Sequence, residues 1–221
     1  MSALAASAVA RVEPVVLEGR HVRLEPLTPA HAPGLAVAAS GPRETYGFTL
    51  VPGDLAEARA YVESALADQA AGRALPFATV APEDGRVVGS TRFGNIEFWP
   101  WPAQSPRARR DGTPDAVEIG WTWLAAAAQR TAINTEAKLL MLTHAFETWR
   151  VHAVKLNTDA RNARSRAAIE RIGARLDGVL RAHRPATDGG IRDTAAFSLL
   201  AAEWPAARAR LQARLTKAFT P

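Results

Sequence analysis

Two stretches of the chain have the residue types and spacing for chemistry. Residues 117–138 read VEIGWTWLAAAAQRTAINTEAK. A β-like run enters a short loop, and the loop opens an amphipathic helix. The first amides of a helix have no intrahelical partner, and the dipole adds partial positive charge there. Such a junction can take a phosphate or pyrophosphate, and Arg130 beside the loop adds a full charge. Many strand–helix junctions share this pattern, so by itself it names no ligand. Residues 158–174 read TDARNARSRAAIERIGA. Asn162 opens a second helix, and Ser165, three residues on, shares its edge. A helix cap followed by an Arg-rich solvated face fits the same residues.

Other chemistries find no support. Cys is absent, which removes disulfides, thiolate metal sites and a Cys nucleophile. His21, His31, His144, His152 and His183 show neither HxxH nor HExxH spacing, so no metal is expected. His144 falls inside the main helix, where packing is its default role. There is no Ser-centred nucleophile elbow, Walker loop or dinucleotide fingerprint.

The elements that must position these stretches follow from periodicity. Partial alternation predicts a first strand over 17–27. Thr28-Pro29 starts a short helix that Gly41-Pro42 ends, and Asp54 caps a second over 55–71. Strands over 75–80 and 86–98, joined by Glu83-Asp84-Gly85, form a hairpin. A long loop over 99–114 carries Trp99, Trp101, Arg107, Arg109 and Arg110. Its length fits a functional loop, and it fits equally well a solvated excursion whose tryptophans cover the hairpin. A strand over 116–124 precedes the clearest helix, 135–149, where Leu139, Leu142, Phe146 and Trp149 share a face. A strand over 151–158, a helix over 162–173, strands over 177–184 and 192–200, and a last helix from Trp204 complete the order.

At 221 residues, with 48% hydrophobic and 22% charged, the chain has the composition of a folded domain. Residues 1–13 read as a flexible tail, because the start lacks an early Lys or Arg and a Leu-rich run. Residues 14–221 read as one domain with a C-terminal helix. No run of about 18 apolar residues is present, so a membrane is not expected as a partner. Absence of Cys fits a cytoplasmic location. The net charge of +5 and the cluster Arg161, Arg164, Arg166, Arg171 and Arg175 raise nucleic-acid binding as a competing class. No helix-turn-helix or aromatic RNA platform accompanies them, and nucleic acid is not the expected partner.

Taken together, the motifs resemble the GNAT N-acetyltransferase superfamily, and within it the RimJ/RimL-like branch of ribosomal-protein N-terminal acetyltransferases. The resemblance spans roughly residues 17–202. An opening phrase G-x-x-(V/L)-x-L-x-P-L is matched by Gly19, Val22, Leu24, Pro26 and Leu27. The family's acyl-CoA loop is matched by Gln129-Arg130-Thr131-Ala132-Ile133-Asn134, with Ala132 and Asn134 at the glycine or small positions. Thr135-Glu136-Ala137 then matches its helix opening. A later phrase N-x-x-S-x-x-x-(V/I)-E-x-x-G is matched by Asn162, Ser165, Ile169, Glu170 and Gly173.

The resemblance implies an α/β (α+β) fold. It is a mixed central sheet of about seven strands flanked by helices, with a splayed parallel pair forming the acyl-CoA cleft. It implies acetyl transfer from acetyl-CoA to a primary amine, a small molecule or a protein N-terminus, by direct attack in a ternary complex. Trp121, Trp123 and Leu124 would line the pantetheine arm. Gln129, Arg130, Thr131, Ala132, Ile133, Asn134 and Thr135 would hold the pyrophosphate, with Asn162 and Arg164 nearby. Glu118 would be the base and Ser165 the acid, since Ile169 stands where other members carry Tyr. Trp99, Trp101, Trp121 and Trp123 are candidates for an acceptor pocket. A homodimer, a larger acyl-CoA such as succinyl-CoA meeting an acidic acceptor at Arg107–Arg110, and a non-catalytic CoA sensor are further readings on the same fold.

Overall fold

In the computed structural model, which describes residues 12–109 and 111–218, the periodic runs become a mixed sheet with helices on both faces. Residues 1–11 of the expected tail, Arg110 in the basic loop and residues 219–221 of the last helix lie outside the described residues. The elements are β1 (Leu17–Glu18), β2 (Arg23–Pro26), α1 (Ala32–Ala39), α2 (Leu55–Ala70), β3 (Leu75–Val80), β4 (Val87–Glu97) and β5 (Ala116–Leu124). They continue as α3 (Ala132–Thr143), β6 (Ala153–Asp159), α4 (Ala163–Ile172), β7 (Arg175–Pro185), β8 (Ile191–Leu200) and α5 (Trp204–Ala218). Strand order across the sheet is β1-β2-β3-β4-β5-β6-β8-β7.

Eight strands replace the expected seven or so because the first strand breaks in two. The Gly19 amide donates to the Val22 carbonyl at 2.9 Å, and β1 folds back on β2. The long helix also shifts. It starts at Ala132 rather than Thr135, because the Thr131 hydroxyl accepts the Ile133 amide and caps it there. Past Thr143 it widens into a π turn over His144–Thr148, closed by Trp149 N–H on the His144 carbonyl at 3.0 Å.

Both sheet faces are buried, so the central strands are apolar on both sides. On β3, Leu75 and Phe77 enter the core under α3 and α5, where Met141, Leu142, Trp149 and Leu211 pack. Ala78 and Val80 enter a second core under α1 and α2, with Leu35, Val62 and Trp123. Removing a fully buried Phe77 side chain would cost roughly 3–5 kcal/mol.

One parallel pairing creates the opening that matters. β5 and β6 pair only at Ala116↔Ala153, Val117↔Val154 and Glu118↔Lys155. Beyond Glu118 they separate, β5 staying with antiparallel β4 and β6 with antiparallel β8. The sheet is therefore split along its C-terminal half at the β5–β6 seam.

Candidate active site

The split opens a cleft of about 860 Å³, walled by β5, β6, the loop before α3, the start of α4 and the β7–β8 hairpin. Two β-bulges shape its floor. On β5, Trp121 and Thr122 together oppose Thr91, because Gly120 pairs Arg92 and Trp123 pairs Ser90. Trp121 takes φ of 50°, and its ring lies over Gly94 of β4, where any Cβ would meet it at 2.4 Å. On β4, Asn95 and Ile96 oppose Val117, and Asn95 takes φ of 44°. Positive φ at such residues costs on the order of 1–3 kcal/mol and persists where surroundings enforce it.

The Asn95 bulge has a direct chemical consequence. Its side-chain amide donates to Glu118 Oε2 at 2.7 Å, and Asn157 on β6 donates to the same oxygen at 2.9 Å. Glu118 is buried at 6% exposure, at the last paired position before the strands part. Among the described residues Oε1 accepts no hydrogen bond, and it lies beside Gly120, where a Cβ would approach it to 3.1 Å. One oxygen is fixed and the other is open to the cleft, which suits a proton acceptor.

The loop before α3 leads into a helix N-terminus capped by Thr131, and its strain sits elsewhere than the glycine positions suggest. The left-handed residue is Arg130, φ 62°, while Ala132 and Asn134 lie in the first helical turn, where glycine has no advantage. Gln129 is tied back through Nε2 to the Leu124 carbonyl at 3.0 Å and Thr45 Oγ1 at 3.1 Å. The Gln129 amide donates to the Ala126 carbonyl and the Ile133 amide to Thr131 Oγ1. Thr131, Ala132 and Asn134 supply the first-turn donors left over. Among the described residues, Trp123 Nε1 and Asn134 Oδ1 are buried at the cleft wall without a hydrogen-bond partner. A buried donor and acceptor left unpaired cost about 1–3 kcal/mol each, so these positions suit a ligand with amide groups. Ala132 is buried and Ile133 packs on the core, so their side chains do not line the cleft.

At the start of α4, Asn162 Oδ1 accepts the Ser165 amide at 3.0 Å, so Asn162 is the helix cap. The Ser165 side chain lines the cleft. Arg164 crosses to the Thr45 carbonyl at 2.6 Å and Gln129 Oε1 at 3.3 Å, linking α4 to the loop before α3. The rest of the Arg cluster is largely committed. Arg161 holds Asp159 and Asp188, Arg166 the Ala160 carbonyl, and Arg175 Glu203.

Several cleft residues escape sequence reasoning. Asn95 and Asn157 carry no motif; the only hint is Asn after Gly94, a residue that tolerates left-handed φ. Lys138 is buried on α3, its ammonium nitrogen donating to Thr122 Oγ1 at 2.7 Å and Thr91 Oγ1 at 3.2 Å. Burial pulls its pKa down from the usual lysine value to about 7. Its spacing of three and four from Met141 and Leu142 is the one signal in the sequence that could have placed it toward the core. Arg92, on β4, lies over the rings of Tyr61 and Trp121, 5.4 and 5.1 Å from their centroids, and faces Asp68 at 3.4 Å.

Of the four tryptophans expected at an acceptor pocket, Trp121 and Trp123 line the cleft. Trp99 and Trp101 do not. They pack on His152, and Asp115 accepts the Trp99 amide and Trp101 Nε1, both at 2.7 Å. His144 packs between Phe93 and Trp149, and burial lowers its pKa. Among the described residues no His, Asp or Glu group could hold a metal, and no helix is long and apolar enough to cross a membrane.

Comparison with known proteins agrees with this fold. Residues 21–175 match the family model described as an acetyltransferase (GNAT) domain. A GCN5-related N-acetyltransferase from Brucella melitensis is 29% identical, with a TM-score of 0.76 over 93% of this chain and 87% of that one. A provisionally assigned acetyltransferase from T. thermophilus is 35% identical, with a TM-score of 0.72 over 93% and 99%. RimJ from Mycobacterium smegmatis, solved in complex with CoA-disulfide, is 23% identical with a TM-score of 0.70 over 87% and 88%, and so shares the fold. Among proteins of curated function no significant match is found.

Proposed function

The chain belongs to the GNAT acetyltransferase family, and from that premise we propose that it moves an acetyl group from acetyl-CoA to a primary amine by direct attack. The observation that carries this reading is the split at Glu118. It places one buried carboxylate with an open oxygen at the base of a cleft whose other end is an anion-ready helix N-terminus. The acceptor is a protein N-terminus or a small amine, the setting is the cytoplasm, and the RimJ/RimL-like likeness also favours a homodimer.

Acetyl-CoA, when bound, supplies the thioester carbonyl and a thiolate leaving group. The chain does the rest. Amides of Thr131, Ala132 and Asn134, with Arg130 beside them, hold the pyrophosphate. Trp121, Trp123 and Leu124 on the bulged β5 wall guide the pantetheine arm, and an amide of this free strand edge polarises the carbonyl. Glu118 Oε1 takes the proton of the incoming amine, directly or through one water, while Asn95 and Asn157 fix the carboxylate. Ser165 returns a proton to the leaving sulfur.

The test combines calorimetry with acetyl-CoA and thiol release on a panel of amines. Binding heat with amine-dependent thiol release is expected. Absence of binding heat removes the reading, and binding without release on any amine leaves a CoA-binding protein that is not a transferase.

A further inference from the structure

Resting on that transferase reading, we propose that Arg192 and Arg184 form the acceptor-recognition element, and that the preferred acceptor carries a carboxylate close to its amino group. In the β7–β8 register Arg184 stands directly opposite Arg192, and both line the cleft. Like charges placed opposite one another across strands are destabilising. The strain is not relieved locally: among the described residues neither guanidinium has a hydrogen bond or an ion pair, and Arg192 Nε is buried without a partner.

The surroundings of the two guanidinium groups favour an acid. Burial, and then the Arg184 charge, lower the Arg192 pKa, while the Asp159 and Glu118 charges oppose that shift. Arg192 is thus within electrostatic reach of Glu118, the group that would receive the amine proton. Asp159 does not neutralise it, because both Asp159 oxygens are taken by Arg161. The hairpin is held over the cleft, since Thr187 Oγ1 donates to the Gly47 carbonyl at 2.8 Å. A carboxylate entering beside Glu118 would accept paired N–H donors from a planar guanidinium and separate two repelling cations. The loop at Arg107–Arg109 does not line the cleft. Arg109 donates to the Trp149 carbonyl at 2.6 Å and lies 3.5 Å from Asp115.

Two matched pairs of acceptors test the assignment: aspartyl-alaninamide against asparaginyl-alaninamide, and alanine against alaninamide. Transfer kinetics with acetyl-CoA are measured alongside calorimetric binding of each acceptor to the CoA-loaded protein. In at least one pair the acid should bind and react about tenfold or more better, through KM, and Arg192→Gln and the more exposed Arg184→Gln should each erode that ratio. Equal behaviour of acid and amide within about twofold in both pairs, or a ratio unchanged in both variants, overturns the proposal. So does an Arg192-dependent preference for succinyl-CoA over acetyl-CoA with the neutral acceptors, which would assign the pair to the acyl chain. If acid binding depends on Arg192 while no amine is acetylated, the transferase reading fails and this recognition site stands.

Discussion

Glu118 and Glu136 are both buried carboxylates, at 6% and 8% exposure, and both sit in the stretch 117–138, yet their surroundings differ in kind. Glu136 accepts three main-chain amides, those of Arg20, His21 and Val22. Its carboxylate lies so close to Gly19 that a Cβ there would meet it at 2.4 Å. The opening Gly19 phrase and the Thr135-Glu136-Ala137 phrase are therefore two halves of one clamp, which turns the first strand and pins it to α3. Among the described residues, Glu118 has two side-chain donors on one oxygen and none on the other. Within one motif-rich region, saturation of a carboxylate by backbone marks structure, and an unsaturated carboxylate facing a cleft marks chemistry.

Substitutions can break this contrast. Glu118→Gln should lower kcat by about 10²–10⁴, as loss of a general base does, with a stability change below about 1 kcal/mol. Thiol-release kinetics and urea melts on the same sample check both halves; a large stability loss with unaltered turnover would reverse the roles of the two carboxylates. Glu136→Ala should do the opposite, costing about 3 kcal/mol or more, because buried amides lose their acceptor. Denaturant midpoints read that loss, and the folded fraction should keep near-native turnover.

Lys138 sharpens the comparison as a buried cation without a carboxylate partner in its hydrogen bonds. Its folded pKa, about 7, lies below the ordinary lysine value of 10.5, so between those limits the unfolded chain binds more protons. Stability relative to Lys138→Met should therefore rise with pH from about 7 to about 10, by as much as 1.4 kcal/mol per pH unit. Below pH 7 the difference should be flat. Urea melts across that range test it, and a flat difference throughout would mean that the ammonium is solvated in the fold. The smallest effect is expected at Ser165, whose hydroxyl has no protein partner among the described residues while its amide serves the cap. Ser165→Ala should lower kcat about tenfold or more and leave the melting temperature unchanged. An unaltered rate would leave Ser165 with a capping-edge role only.

Much of the scaffold was legible. The Asp54 cap, the Glu83–Gly85 turn and the Gly173 helix end are local patterns, and each appears where its residues predict; the strand–loop–helix junction at 117–138 is present too, with its helix starting three residues early. The break at Gly19 was not legible, because its cause is a carboxylate 114–116 residues away. The π turn at His144–Thr148 likewise carries no local mark. Glycine-poor composition in the loop before α3 looked like a departure from the family, but the helix begins early and moves the left-handed position to Arg130.

Residue order alone determined the periodicities, the caps, the motif spacing and hence the family, because each depends on neighbours within a turn or two of chain. Tertiary structure decided which polar groups meet. Asn95 and Asn157 reach Glu118 across 23 and 39 residues, Lys138 reaches Thr91 across 47, and Arg184 faces Arg192 through strand register. The cost of an unpaired buried group is paid only once burial exists, so the partners that relieve it become visible only in the folded chain.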